Sequence, residues 1–305
     1  MESIVSGGTT LTSAPGITEL DLHLPDGRTL HVYQTENNDA FPMFWFHGTP
    51  NLGSPPGPLL EHAAKLGFRW VSCDRPAYGR STPVPDRSVA SAASDVKAIA
   101  DHLGLDHFVV MGHSGGGPHA LACAALLPDR VKAAVSLSGL APFDAPGLDY
   151  FAGMHPSSVA SLSAAAQGRA AKEAFEASAP EFDPEVFTPA DHAALSGRWS
   201  WLNEVVEPAL VAGPEGLIED DLAYVKGWGF EPAQLKVPTL IVHGEEDRMV
   251  PVSHARWLAT QVGHAELWAN PEAGHIAILD LAPAALAWLK RQLWSDSTTG
   301  LSVLG

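Results

Sequence analysis

Residues 107–127 read HFVVMGHSGGGPHALACAALL and contain the pattern that decides the fold. The segment opens with a short apolar run, Phe108–Met111, that has the length and composition of a buried parallel strand. It closes with an Ala- and Leu-rich stretch, Pro118–Leu127, that is typical of a helix. Between them, residues 112–116 fit G-x-S-x-G. This pattern predicts a sharp strand-to-helix turn that presents Ser114 at its apex.

Turns rich in glycine and serine are common, so the pattern takes its meaning from the strand before it and the helix after it. No lysine follows the glycines, which argues against a phosphate-binding loop. At the start of the helix, backbone N–H groups can stabilise a developing negative charge. The segment therefore indicates that Ser114 is a nucleophile.

Strands and helices alternate on both sides of this segment. Further strands are predicted at Ile17–Leu24, Thr29–Gln34, Phe41–Phe46, Phe68–Cys73, Val131–Leu137, Thr239–Val242 and Ala265–Ala269. Further helices are predicted near Leu59–Leu66, from Ser88 as N-cap through Leu103, at Val252–Gln261 and at Ala277–Leu293. This alternation predicts an α/β fold with a mostly parallel sheet and helices on both faces.

The alternation stops between residues 141 and 234, here called the cap segment. It contains only helical stretches, which we predict near Ser158–Ala179, Pro189–Ala212 and Leu217–Lys226. We therefore predict a core domain formed by residues 1–140 and 235–305, with an inserted helical cap domain at 141–234. The cap is expected over the carboxyl edge of the sheet, where such sheets bind ligands.

The composition of the 305 residues limits the classes of function. The chain carries 18 Lys and Arg against 35 Asp and Glu, a net charge of −17, which argues against nucleic acid as a partner. Cys73 and Cys123 lie among apolar neighbours and are expected to be free thiols. There is no signal-peptide pattern and no membrane-span pattern, so a cytoplasmic protein is expected. Nothing in the spacing of His and Cys indicates a metal site.

A serine hydroxyl needs a base that takes its proton and a third group that orients the base. On this kind of sheet the expected chain order is Ser, acid, His, and Ser114, Asp247 and His275 follow it. Asp247 follows the predicted strand Thr239–Val242, and His275 follows Ala265–Ala269. All three should therefore lie at the carboxyl edge of the sheet, where we predict a catalytic triad.

The acid and the base both have rivals of suitable chemistry. The rivals are His254 and His264 for the base, and Asp144, Glu245 and Glu246 for the acid. His254 falls inside a predicted helix and His264 precedes a strand, so both are worse placed than His275. Asp144 is the more serious alternative to Asp247, because the strand that ends before it borders the same edge.

An oxyanion hole needs two backbone N–H donors beside the nucleophile. Gly115, the residue after the serine, should supply one of them. The loop after the strand Phe41–Phe46, His47-Gly48-Thr49-Pro50, should supply the other through Thr49. Gly and Pro mark ordinary turns as well, but this turn ends a core strand next to the predicted site.

Five motifs together resemble the α/β-hydrolase superfamily. They are HGTP at 47–50, DRPAYGRS at 74–81, GHSGGG at 112–117, GEEDRMVP at 244–251 and AGH at 273–275. The resemblance implies an eight-stranded central sheet and an acyl-enzyme mechanism that uses no cofactor. It also implies that haloalkane dehalogenases and epoxide hydrolases are poor matches, since they carry Asp where this chain has Ser114.

We therefore expect a carboxylesterase-like serine hydrolase of a small ester-like or related carbonyl substrate. A lyase, an acyltransferase or a peptidase of the same fold, or a slow-turnover ligand-binding protein, stays open as an alternative. The cap segment holds many of the aromatic residues, and Trp199 and Trp228 are candidates for substrate contact, together with His113 beside the nucleophile.

Overall fold

A computed structural model describes residues 11–12 and 16–298. In these residues nine strands form one sheet, in the order β1-β2-β3-β5-β4-β6-β7-β8-β9. The strands are β1 Leu11–Thr12, β2 Ile17–His23, β3 Thr29–Thr35, β4 Phe41–Phe46, β5 Phe68–Cys73, β6 Phe108–His113, β7 Val131–Leu137, β8 Thr239–Gly244 and β9 Ala265–Asn270. The pairs β1–β2, β2–β3 and β3–β5 are antiparallel. The remaining neighbours in the sheet, in the order β5-β4-β6-β7-β8-β9, are parallel. The predicted mostly parallel sheet is confirmed, and the two-residue β1 adds to the eight expected strands.

The helices are α1 Leu60–Lys65, α2 Ser91–His102, α3 Gly116–Leu126, α4 Pro156–Ala166, α5 Arg169–Ala177, α6 Pro189–Ser196, α7 Trp201–Val206, α8 Glu215–Tyr224, α9 Val252–Gln261 and α10 Ala282–Thr298. Successive residues of β4 contact opposite sides of the sheet, as the period of a strand requires. Phe44 joins the core layer that includes α2, α3 and α9, whereas Met43 and Trp45 join the layer that includes α1 and α10. The sheet is thus buried between helices on both faces.

Several helix boundaries differ from the predictions for local reasons. Gly168, with φ of 107°, separates α4 from α5 where one helix was predicted, and Gly197 likewise ends α6 before α7 begins. The prediction that Ser88 caps α2 is wrong. The helix begins at Ser91, whose hydroxyl accepts a hydrogen bond from the N–H of Ser88.

Helices α4 to α8 all lie in the cap segment, between β7 and β8. Carboxylates on two of these helices reach the loops at the carboxyl edge of the sheet: Asp191 on α6 and Asp220 on α8. The division of the chain into two domains at residues 141 and 234 stays a prediction. None of the helices within the described ranges has both the length and the apolar character needed to cross a membrane.

Candidate active site

The turn after β6 places Ser114 as its sequence predicts. Ser114 has φ of 53°, a left-handed conformation that few non-glycine residues adopt. A side chain at Gly112 would collide with the carbonyl of Gly116, and one at Gly116 would collide with the carbonyl of Phe46. The glycines are therefore required by the close approach of the backbone, and the turn is held in a strained form.

Ser114, His275 and Asp247 lie in one chain of hydrogen bonds. The Nε2 atom of His275 is 2.9 Å from Oγ of Ser114, and its Nδ1 atom is 2.8 Å from Oδ2 of Asp247. The structure thus brings together the three residues predicted as a triad. The rivals lie elsewhere: His254 bonds the backbone at Ala141 and Tyr150.

The rival acids also lie apart from His275. Asp144 lines a separate hollow beside Trp228, and Glu245 pairs with the exposed Arg256 at 2.8 Å. Geometry therefore favours Asp247, because its carboxylate alone among these acids bonds the imidazole of His275.

The surroundings of Asp247 keep its carboxylate charged. Burial alone would raise the pKa of Asp247, but the charge and hydrogen bond of His275 and the contact with His243 hold it well below its usual value. Its Oδ1 atom also accepts the N–H groups of Met249 and Val250, at 2.9 and 2.8 Å. An ionised acid that is fixed in this way can orient an imidazole and stabilise its cation.

The imidazole of His275 has a raised pKa. Burial alone would lower this pKa, but the Asp247 carboxylate, through charge and hydrogen bond, and the charge of Asp191 outweigh burial. His113 lies behind this ring, where burial and the neighbouring His275 lower the pKa of His113 to about 3. Since a carbonyl only accepts, Nε2 of His113 is the donor in its 3.1 Å bond to the carbonyl of His275.

The two predicted oxyanion donors lie next to each other beside Ser114. Thr49 and Gly115 line the same cavity as the serine. A side chain at Gly115 would collide with Oγ1 of Thr49 and the hydroxyl of Tyr224. Within the described residues, the backbone N–H groups of Thr49 and Gly115 bond to no acceptor. Both are therefore available to an oxygen atom held at Ser114.

A cavity of about 410 Å³ opens at Ser114 beneath the cap segment. Its apolar wall includes Leu140, Leu162, Phe175, Phe182, Val186, Leu217, Met249 and Val250, and its polar wall includes Ser157, Ser158, Ser161, Glu176, Glu181, Asp183 and Asp221. Among these described lining residues four are acidic, and no lysine or arginine is present. Two of the acids, Glu176 and Asp221, pair with the buried Lys172 at 2.5 and 2.6 Å. The size and largely apolar wall of the cavity suit a small molecule.

The three residues predicted to contact substrate lie outside this cavity. Trp199 is buried in the core, and its indole N–H donates to Asp280 at 2.8 Å. Trp228 packs against Phe230, at 5.6 Å between ring centroids, beside a different hollow. His113 supports the carbonyl of His275. Trp199 and Trp228 contribute to the packing of the two core layers, since buried aromatic side chains supply much of the apolar contact in a core.

Comparison with known proteins places the chain in a family. The sequence model of the alpha/beta hydrolase fold family matches residues 42–281. The chain belongs to this family. The protein is thus an enzyme of the α/β-hydrolase family.

Individual relatives are more distant. An epoxide hydrolase from Caballeronia sordidicola is 31% identical over 126 residues, which cover 40% of this chain and only 37% of that protein. A 2-hydroxy-6-oxononadienedioate/2-hydroxy-6-oxononatrienedioate hydrolase 2 from Pseudomonas putida is 28% identical over 228 residues, or 72% of this chain and 74% of that protein. The solved enol-lactonase from Burkholderia xenovorans superposes with a TM-score of 0.66 at 21% identity, over 90% of this chain and 99% of that one. The last likeness shows the shared fold.

A buried charged network fixes the loop of this hydrolase that carries Thr49. Asp220 on α8 is fully buried and accepts hydrogen bonds from Arg75, Arg87, Tyr78 and the hydroxyl of Thr49. The guanidinium of Arg75 also donates to the carbonyl groups of His47 and Gly48. The two arginines outweigh burial and hold the pKa of Asp220 well below its usual value.

Tyr224 connects this network to the nucleophile turn. Its hydroxyl lies 2.8 Å from Oγ1 of Thr49 and donates to the carbonyl of Gly115 at 3.1 Å. The sequence did not point to Asp220 or Tyr224, because the acidic run at 219–221 is typical of a solvated helix face and a tyrosine in the cap is typical of packing. Their spacing of four residues, which places both on one helix face, was the available signal.

Proposed function

We propose that this protein hydrolyses a small carboxylic ester, or a related carbonyl compound, through an acyl-enzyme intermediate on Ser114. The observation that supports this proposal is the unbroken chain from Asp247 through His275 to Ser114, beside two unbonded N–H groups at Thr49 and Gly115. This combination is what acyl transfer from a carbonyl requires.

The reaction proceeds in two halves. His275 takes the proton of Ser114 as the oxygen attacks the carbonyl carbon, and the N–H groups of Thr49 and Gly115 stabilise the oxyanion. The tetrahedral intermediate collapses and the leaving alcohol receives the proton from His275. A water molecule, deprotonated by His275, then attacks the acyl carbon, releases the acid and restores the Ser114 hydroxyl. Asp247 orients the imidazole and stabilises its cation throughout.

The largely apolar wall of the cavity supports a small substrate with an apolar acyl group. Glu176 and Asp221 lie in this wall, but both pair with the buried Lys172, at 2.5 and 2.6 Å, so they add little net charge to it. The residue at the turn, Ser114, supports an ester over an epoxide, since the resemblance implies an aspartate at that position in epoxide hydrolases.

The experiment that tests the proposal is a panel of p-nitrophenyl esters of rising acyl length, assayed on the natural chain and on Ser114→Ala. We expect turnover with short acyl chains and none above background with Ser114→Ala, while both proteins melt at similar temperatures. Turnover that survives in Ser114→Ala would contradict the nucleophile. Labelling of Ser114 by a fluorophosphonate without turnover of any ester would contradict the substrate class and retain the nucleophile.

A further inference from the structure

Asp191 on α6 is a buried carboxylate that contacts the loop of His275. Its side chain is fully buried, and its atoms accept the backbone N–H groups of three consecutive residues. Oδ2 accepts from His275 at 3.2 Å, and Oδ1 accepts from Ile276 and Ala277, each at 2.8 Å. The carboxylate thus fixes the backbone at the residue that carries the imidazole and at the two that follow it.

The local sequence of α6 prepares Asp191 for this contact. Thr188 caps the helix by accepting the N–H of Asp191 at 3.1 Å, and in return its own N–H and hydroxyl donate to Oδ2 at 3.0 and 2.9 Å. This capping box holds the carboxylate in one position. A side chain at Gly274 would collide with Oδ2, so the loop approaches the carboxylate as closely as its backbone allows.

Asp191 has no cationic partner within ion-pairing distance in the described part of the chain. Five donors from Thr188 and residues 275–277 hold its charge in place of a lysine or an arginine. A buried charge that is stabilised by N–H groups acts on neighbouring charges with little screening by water. Asp191 bonds the backbone N–H of His275, and the imidazole of the same residue becomes a cation during the proposed reaction.

We propose that Asp191 is a second carboxylate that serves His275: it positions the loop of the general base and stabilises the positive charge that the imidazole acquires. The inference rests on the proposed use of His275 as the base for Ser114. It extends that proposal by making helix α6 of the cap segment part of the catalytic machinery. Asp191 is a positioning residue, because it does not touch the reacting atoms.

Other ionisable groups near the imidazole must be separated from the effect of Asp191. Asp247 after β8 bonds Nδ1, His243 on β8 lies 3.4 Å from Asp247, and His113 on β6 bonds the carbonyl of His275. Asp191→Asn leaves these three side chains in place, and of the three only His113 also feels the charge of Asp191. Asp191→Asn keeps the shape of the side chain and removes its charge. It also places an amide NH2 group where one carboxylate oxygen now accepts N–H groups.

The test is an NMR titration of the His275 imidazole in the natural chain, in Asp191→Asn and in a matched control, Glu219→Gln. Glu219 is equally buried in the cap segment. Its carboxylate accepts the backbone N–H of Asp86 and the guanidinium of Arg169, and it contacts no residue of the proposed triad. We expect the midpoint of His275 to move to lower pH in Asp191→Asn, since a negative charge that favours the cation is lost, and to stay unchanged in Glu219→Gln. Equal midpoints in the natural chain and Asp191→Asn would overturn the inference.

Kinetics give the second readout. With a p-nitrophenyl ester, Asp191→Asn should lower kcat by roughly 10- to 100-fold with little change in KM, because a displaced base affects the chemical step. The acid limb of kcat/KM should move to lower pH in parallel with the NMR midpoint. A fall in kcat without a shift of the acid limb would mean that Asp191 only holds the loop. That result would overturn the claim that its charge stabilises the imidazole cation.

Two further arms keep the inference testable. The NMR titration needs no substrate, so it decides the role of Asp191 even if the natural chain turns over no ester and the proposed function fails. If Asp191→Asn does not fold, Gly274→Ala is the substitute, since the added methyl group pushes the loop from the carboxylate while both charges remain. It should lower the rate at which a fluorophosphonate labels Ser114, and an unchanged rate would count against the inference.

Discussion

The loops at the carboxyl edge of the sheet and the cap segment contribute to one site in different ways. The sheet edge supplies Ser114, Asp247 and His275, each fixed by a strand that ends just before it. The cap segment supplies most of the wall of the cavity and two buried carboxylates, Asp191 and Asp220, that hold loops of the sheet edge. The difference teaches that the proposed reacting groups follow from topology, whereas the groups that hold their loops depend on packing between distant parts of the chain.

The largest effect should come from the base at the sheet edge. His275→Ala should lower kcat/KM for a short ester by roughly 10⁴-fold or more, because members of a triad act as a unit. His264→Ala is the matched control, since His264 is exposed and precedes β9. Rates for both variants in one ester assay check this prediction, and similar losses in the two variants would contradict the assignment of the base.

The next effect concerns the contact of α8 with the Thr49 loop. Asp220→Asn leaves the buried Arg75 and Arg87 without their carboxylate, and we expect a loss of about 3–5 kcal/mol in the free energy of unfolding. Equilibrium unfolding in urea measures this loss. The pKa of Asp220 is lower in the folded state than its ordinary value of 3.8. The stability that its charge gives the folded protein is therefore fully present above pH 3.8 and is lost as the pH falls through the folded-state pKa. The difference in free energy of unfolding between the natural chain and Asp220→Asn should therefore become smaller in acid. A difference that does not change with pH would contradict this account.

The pH dependence of the reaction tests the electrostatics of the sheet edge. His275 must be neutral to act as a base, and its pKa lies above the ordinary value of 6.5. The acid limb of kcat/KM should therefore have its midpoint above pH 6.5 and fall about tenfold per pH unit below it. A pH profile of ester hydrolysis gives the midpoint. A midpoint below 6.5 would mean that burial dominates over the charges of Asp247 and Asp191.

The smallest effects separate residues that line the cavity from those that pack beside it. Phe175→Ala should change KM and the preferred acyl length by a few-fold, because its ring lines the wall of the cavity. Trp199→Phe should leave KM unchanged and cost about 1 kcal/mol of stability, through the lost hydrogen bond to Asp280. The ester panel and thermal unfolding of both variants check the pair. A KM change in Trp199→Phe would return that residue to the substrate site.

The sequence predicts the sheet edge well, because Ser114 and Asp247 follow strongly apolar strands and the glycines at 112 and 116 admit one backbone shape. It predicts the cap segment poorly. Trp199 has the chemistry of a pocket residue, but its orientation depends on Asp280, a neighbour more than 50 positions away. Asp191 and Asp220 read as surface acids, since a helix pattern does not reveal which loop a buried carboxylate meets.

The most direct test of the central claim is to trap the acyl group. Rapid acid quench of the protein during turnover of p-nitrophenyl acetate, followed by peptide mass spectrometry, locates the covalent intermediate. We predict one acetyl group on the peptide that contains Ser114, formed with a burst of p-nitrophenol and missing in Ser114→Ala. Turnover with no acetylated peptide, or with acetyl on another residue that persists in Ser114→Ala, would contradict the account.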